Sequence, residues 1–536
     1  MEEGLPMPTS RMYQGPTRRD LLRLGIGAAG AAMTHARGAR AAQPTAAPVA
    51  SPGVSGPKRG GVFRVARGPR ITNFNALYMT RGHFAFMRAL YNTPLRLDDR
   101  LEPQPEIASS WQFSPDGTRM TLTLRQDVKF HSGRDLTSED IKFTWEFAKL
   151  PESSASMLSA FELIKEIKTP DRYTVELYFD KPNPLIFDTL DLLFIYDKSA
   201  VGNIAKVDAG SGPFRVDRYI PPDEIYMTRF AGYWDKGKPY VDEYHLKSIP
   251  DAAALALNFE AQAVDAIWAA NFKDVARLKD HKGIVATDGP GSQGMCFVAA
   301  KPDAGPLSDK RVRQAINYAI DRERCARVVL EKLVTPTCVM WPRGSLGHFA
   351  DLEGKYSFNL EKAKALLAEA GYPKGFKTSI VLSRAINPVL YGFGQILQAD
   401  LAKLGIEAKL EDLESTLITR RILGGQYEIA VHNYGRANRD PGTTLMGDQL
   451  WRTHKEGGKT MPDFPDFGNW RDEAARTMET QKRQALYRKI QEWILEESFV
   501  MPIAGNVSYW LYRDQVKDLK FTRESSPWGD VVWLDR

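Results

Sequence analysis

Cysteine is scarce in this 536-residue chain: Cys296, Cys325 and Cys338 are the three present, and no two form a CxxC pair. Zinc-ribbon and thioredoxin-type chemistry is thereby excluded. An oxidising compartment would permit Cys325 and Cys338 to pair, but spacing alone does not bring their Cα atoms within the roughly 7 Å a bridge needs. The eight histidines (35, 83, 131, 245, 281, 348, 432 and 454) contain no i, i+4 pair, so no preformed metal cage is expected. HExxH, P-loop and GxSxG patterns are absent. Gly289 to Gly294 fits GxGxxG, but the residues after it, Met295 to Ala299, read as a strand. A dinucleotide site needs a helix N-terminus there. Positive charge is also modest. The formal net charge is +6, of which residues 1–41 carry +3 and the remainder +3. A nucleic-acid binder normally shows a basic face, so that class is excluded. Past the first forty or so residues no apolar run reaches the length of about 18 that a membrane span requires.

What is present is an ordinary globular composition, 43% hydrophobic and 26% charged, long enough for about two to four domains. Thr17 to Arg23 (TRRDLLR) resembles a twin-arginine export motif carried by Arg18 and Arg19. A short Ala/Gly-rich run follows, and Ala39-Arg40-Ala41 offers a small-x-small cleavage site. Residues 1–41 are therefore expected to be a signal peptide and 42–57 a flexible tether. The mature protein is expected to be soluble in the periplasm, without a lipid anchor.

The stretch Leu101–Leu150 organises the rest. Ser114-Pro115-Asp116-Gly117 is a turn, Met120–Arg125 alternates as a half-buried strand, and His131-Ser132-Gly133 turns again. Thr137 with Asp140 forms a capping-box pattern that opens a helix. As a string, LEPQPEIASSW, then DG, then LRQDVKFHSG, then LTSEDIKF resembles the signature of the periplasmic solute-binding proteins of the peptide/nickel ABC-importer family. Further blocks resemble the same family: GGVFRVA from Gly60, GSGPFRV from Gly210, YWDKGKPY from Tyr233 and PLSDKRVRQAINYAIDR from Pro306.

That resemblance implies an α/β fold with two lobes, a large type II Venus-flytrap with an extra subdomain in the first lobe. The alternation of strands and helices independently argues α/β lobes. The expected boundaries are 58–270 for lobe I, with the subdomain at about 96–205, then 271–500 for lobe II and 501–536 returning to lobe I. It further implies a substrate-binding component that feeds a membrane permease, holding a short peptide or related zwitterion. A nickel chelate, haem, an oligosaccharide or an opine remain alternatives, and a periplasmic hydrolase a remote one. No cofactor or metal is expected, and a monomer is the simplest state.

The candidate binding segment follows the strand at Glu428–Val431. Asp440-Pro441 resembles the family's D-P, where an acidic residue meets the ligand's ammonium. The other reading is that Asp440 caps the next turn. Arg436 and Arg439, if both face the cleft, would suit a carboxylate or phosphate through their planar forks. Tyr434 and Trp451 are candidates to stack on a ligand, as is Trp528 from the other lobe, although aromatic residues serve equally often as core.

Overall fold

The computed structural model describes residues 56–72, 74–78, 84–98, 100–150, 163–203, 208–288, 294–434, 438–522 and 526–536. The export motif with Arg18 and Arg19, the candidate Arg436 and the glycine loop 289–293 lie outside the described residues. The strand expected after that loop is present.

In chain order, the first strand is β1 (Val62–Arg67), followed by the small pair β2 (Leu95–Leu97) and β3 (Pro103–Pro105). Next come β4 (Ala108–Phe113), β5 (Arg119–Leu124), β6 (Glu166–Asp171) and β7 (Thr174–Tyr178). They form a four-stranded antiparallel sheet, ordered β4-β5-β7-β6, that builds the subdomain. Then follow β8 (Phe214–Ile220), β9 (Glu224–Arg229), β10 (Glu243–Ser248), β11 (Ala266–Ala270) and β12 (Ile284–Thr287). The second lobe contributes β13 (Gly294–Ala300), β14 (Lys377–Leu382), β15 (Glu407–Asp412), β16 (Ile429–Asn433) and β17 (Val500–Asn506), before β18 (Tyr509–Arg513). The helices needed below are α1 (Ser138–Ala148), α2 (Ile186–Leu190), α3 (Lys310–Ala319), α4 (Val389–Ala402), α5 (Pro441–Gly447) and α6 (Thr480–Glu497).

Lobe I is a seven-stranded sheet, β12-β18-β11-β1-β10-β9-β8, and lobe II a five-stranded sheet, β15-β14-β16-β13-β17. Sheet membership moves both expected boundaries. β12 still belongs to lobe I, so the first crossing follows Thr287 and not Ala270. β17 still belongs to lobe II, so the return follows Asn506 and not Val500. The reason is pairing: β17 lies along β13, while β18 inserts between β11 and β12. A one-lobe reading of the tail missed that a single apolar run supplies a strand to each sheet.

The signature stretch is a structural knot. Asp140 accepts from the backbone N–H and hydroxyl of Thr137 at 2.9 and 3.0 Å, completing the capping box of α1. Arg134 spans Asp140 and Asp197, at 2.5 and 2.6 Å. His131 sits between Asp208, at 2.7 Å, and the carbonyl of Gly212, at 3.0 Å. Gly210 and Gly212 fit there because they touch the backbone of Leu90: a Cβ on Gly210 would stand 1.8 Å from its carbonyl oxygen. His131 is thus a structural residue.

Burial pushes the Asp197 carboxyl up, but hydrogen bonds from Arg134, Ser199 and Ser132 outweigh it and hold the group below its usual 3.8. An acid with a depressed folded pKa adds stability above its unfolded value and loses it as pH falls through the folded value. Amides of α1 are therefore expected to lose hydrogen-exchange protection below about pH 3.8. In Arg134→Met that acid sensitivity should shrink. Equal sensitivity in both proteins would remove Asp197 as the cause.

All three thiols are free and buried, so Cys325 and Cys338 do not pair. Burial raises the Cys296 thiol and pushes Cys325 up to about 12. A thiol that is neither ionised nor exposed is inert. The native protein should show no reactive thiol toward a disulfide reagent, and three after denaturation.

Candidate functional site

Strand direction locates the cleft. β1, β10 and β11 run parallel, and β18 runs antiparallel beside β11. Because β18 begins at the return crossing, the C-terminal ends of β1, β10 and β11 all lie at the hinge end of the sheet. In lobe II, β13 starts at the hinge and β16 runs against it, so Asn433 and Tyr434 also lie at that end. The parallel partners β14 and β15 finish there too. Both lobes therefore offer strand C-termini to the same gap, where open α/β sheets place ligands.

The hinge-end row of lobe I carries Ser248, Arg67, Trp268, Trp510 and Thr287 in register. The guanidinium of Arg67 lies 4.7 Å from the centre of the Trp268 ring. Trp268 and Trp510 rings are 6.3 Å apart. Across the hinge, Asn506 donates to the carbonyl of Tyr434 at 2.9 Å, and Asn387 donates to the side-chain oxygen of Asn506 at 3.0 Å.

A second contact joins the subdomain to lobe II. Asp188, on α2, accepts from the backbone N–H groups of Arg439 and Asp440, each at 3.2 Å, and from the hydroxyl of Thr443 at 2.9 Å. Arg439 reaches Glu102 at 2.9 Å. The surfaces are close-packed: a Cβ on Gly442 would stand 2.7 Å from Leu185, and one on Gly117 would stand 2.9 Å from Met478.

The predicted site residues divide among different tasks. Asp440 is buried and caps α5, accepting from the Gly442 N–H at 3.1 Å. It pairs with Arg483 on α6 at 2.9 Å and accepts from the Tyr487 hydroxyl. Burial pushes its carboxyl up, and Arg483 opposes the shift. The capping reading is the one the geometry carries. Arg439 is committed to Glu102. Trp451 is fully buried, stacked on Phe467 at 6.1 Å and donating to the Tyr434 hydroxyl at 2.8 Å. Its indole presents no face to a ligand, and it holds Tyr434 in place instead. Trp528 is buried and carries two guanidinium groups against its ring, Arg88 at 4.8 Å and Arg96 at 4.6 Å, within lobe I. It does not reach across the cleft. Among the described candidates, Tyr434 keeps a place at a hinge-end strand terminus.

Sequence reading missed Arg67 and Asp188. A cation at the end of the otherwise apolar strand VFRVAR was the available signal for Arg67. Asp188 had none, because its partners lie some 250 positions away. No helix among the described residues is long and apolar enough to cross a membrane, and no cluster of metal-ligating side chains occurs among them.

Comparison with known proteins agrees with this architecture. A dipeptide-binding protein of Escherichia coli is 27% identical over 77% of this chain and 83% of its own. A heme-binding protein A of Haemophilus influenzae is 26% identical over 77% and 81%. A solved structure, the ABC transporter-associated periplasmic binding protein DppA from Helicobacter pylori in complex with the peptide STSA, superposes with a TM-score of 0.74. It is 25% identical, covering 89% of this chain and 99% of that one. The family profile of bacterial extracellular solute-binding proteins, family 5 Middle, matches residues 102–449, more than half of the chain. With its two-lobed fold and those matches, this chain belongs to the family 5 bacterial extracellular solute-binding proteins.

Proposed function

We propose that this chain is the substrate-binding component of an ABC importer, and that it captures a short peptide or related zwitterion between its lobes for delivery to a membrane permease. The observation that carries this reading is the double crossing at one end of both sheets. It places strand C-termini of the two lobes around one gap. A solute touching both at once favours the closed state by its differential contact. Relatives named for dipeptide and peptide binding support the ligand class. No catalytic step is proposed.

The test is native mass spectrometry of protein purified from the periplasm without denaturation. A ladder of co-purifying peptide masses is expected. A single non-peptide mass would replace the ligand class and leave the importer role intact.

We also propose export through Arg18 and Arg19, with cleavage after Ala41, giving a soluble periplasmic monomer. Arg18→Lys/Arg19→Lys should strand the uncleaved precursor in the cytoplasm. Normal export and processing of that variant would sink the twin-arginine assignment.

A further inference from the structure

We infer that Arg67 anchors a carboxylate of the solute at the hinge end of lobe I, with the Trp268 indole N–H as an accompanying donor. This rests on the solute-binding reading above and adds to it a charge and a place.

The first observation is an unsatisfied cation. Arg67 is fully buried, yet its Nε, Nη1 and Nη2 have no hydrogen-bond partner among the described residues. No salt bridge to it exists among them. Burial pushes its pKa down to about 10, opposed by the Tyr244 hydroxyl, so the group stays charged at neutral pH. Other buried arginines of this chain are served very differently. Arg88 pairs with Asp191 at 2.5 Å, Arg313 with Glu497 at 2.7 Å, and Arg483 with Asp440 at 2.9 Å. Arg322 has no carboxylate but donates to the carbonyls of Pro502 and Asn317 at 2.7 and 3.2 Å. Among the described residues, Arg67 has only the face of Trp268.

The second observation is the company it keeps. Trp268, its neighbour in register, has a buried Nε1 that likewise lacks a hydrogen-bond partner among the described residues. Both groups donate, and together they carry one positive charge. The complement of such a set is an anion rich in acceptors. A guanidinium lying over an indole keeps its in-plane N–H fork open, which matches the two oxygens of a carboxylate. Buried polar groups are normally paired, so two orphans side by side in register at a strand end call for an explanation, and an incoming ligand group is the simplest.

The third observation is backbone shape. The β11–β18 register shifts between Trp268 and Ala270, and the bulged residue Ala269 is exposed with φ of 57°. A non-glycine residue pays for that conformation in strain, and bulges beside sites re-aim the neighbouring side chain. Here the neighbour is Trp268. It is half-buried and roofs Arg67, so a turn of the indole uncovers the guanidinium to the hinge end.

Four probes decide the matter by thermal shift and tryptophan fluorescence. They are L-alanyl-L-phenylalanine, its C-terminal amide, N-acetyl-L-phenylalanine and phenyl phosphate. Wild-type protein is expected to bind the free dipeptide about 100-fold tighter than the amide, with a fluorescence change from Trp268 and Trp510. Arg67→Met should reduce that preference to about 3-fold or less without lowering the melting temperature of the ligand-free protein, because it removes an unpaired buried charge. Arg67→Lys should keep part of the preference. If N-acetyl-L-phenylalanine binds and the dipeptide does not, the peptide reading falls and the carboxylate anchor stands. Equal binding of dipeptide and amide overturns the anchor and leaves the peptide reading standing. The anchor is equally overturned if Arg67→Met keeps the preference, if phenyl phosphate alone binds, or if no probe binds wild-type protein. A lower melting temperature of Arg67→Met with unchanged binding would make Arg67 a structural residue.

Discussion

Asp440→Ala is expected to lower the free energy of unfolding by about 3–5 kcal/mol, read as a shift of the urea midpoint. Three losses combine. Arg483 becomes a buried cation facing only the carbonyls of Thr477 and Met478, at 3.0 and 2.9 Å. Tyr487 loses the acceptor for a buried hydroxyl. α5 loses its N-cap, itself worth about 1 kcal/mol. Most of the total is the uncompensated charge, since breaking one side of a buried pair costs more than the pair contributes. Arg483→Met should therefore cost a similar amount, by leaving the carboxylate unpaired. The double variant Asp440→Leu/Arg483→Met should recover much of it, a coupling that a double-mutant cycle measures. Asp440→Asn keeps the cap and falls between. If instead Asp440→Asn left stability unchanged and abolished binding of L-alanyl-L-phenylalanine, Asp440 would be a solute contact and the structural assignment would be wrong.

That case shows how far the chain could be read from its residues. The D-P pair was visible, and so was the choice between cap and ligand contact. Position along the chain could not decide it, because Arg483 and Tyr487 come from a helix some forty residues later. Local chemistry was legible where its partners are near in sequence. The capping box of Thr137 and Asp140 needs only four residues. The helical stripe Val312, Ala315, Ile316 and Ala319 of α3 is buried as its spacing requires. Arg313 on the same helix is also buried, which spacing cannot foresee, because Glu497 from the far end of lobe II receives it at 2.7 Å.

Aromatic residues were the least legible. Trp451 and Trp528 stand in segments that reach the site in sequence, but each is consumed by its own lobe. Trp451 fills the core beside Phe467 and Phe499, and Trp528 is taken up by two guanidinium groups against its ring. A ring that satisfies a core leaves the same trace in a sequence as one that awaits a ligand. The lobe boundaries failed for a related reason. β17 and β18 are separated by two residues and look like one hydrophobic tail, while their pairing partners assign them to different sheets.

The contact that couples subdomain to lobe II carries the second large effect. Asp188→Ala should weaken binding of L-alanyl-L-phenylalanine about 30-fold, close to 2 kcal/mol, and increase the radius of gyration of the ligand-free protein in solution scattering. Hydrogen bonds to a charged acceptor contribute about 1.5–3 kcal/mol each when short and direct. Two of the three at Asp188 are 3.2 Å long, so the sum is placed near the contribution of one good bond. The acceptor also faces the N-terminal end of α5, whose dipole favours a negative charge. Opening the lobes breaks these three bonds at once, so the contact acts on the open–closed balance rather than on the solute. Its removal should thus slow nothing in encounter and raise the dissociation rate. Asp188→Asn keeps the shape and loses the charge, and should give a smaller change in both readouts. An unchanged radius together with unchanged affinity would mean that the subdomain and lobe II move as one body and that the cleft opens elsewhere.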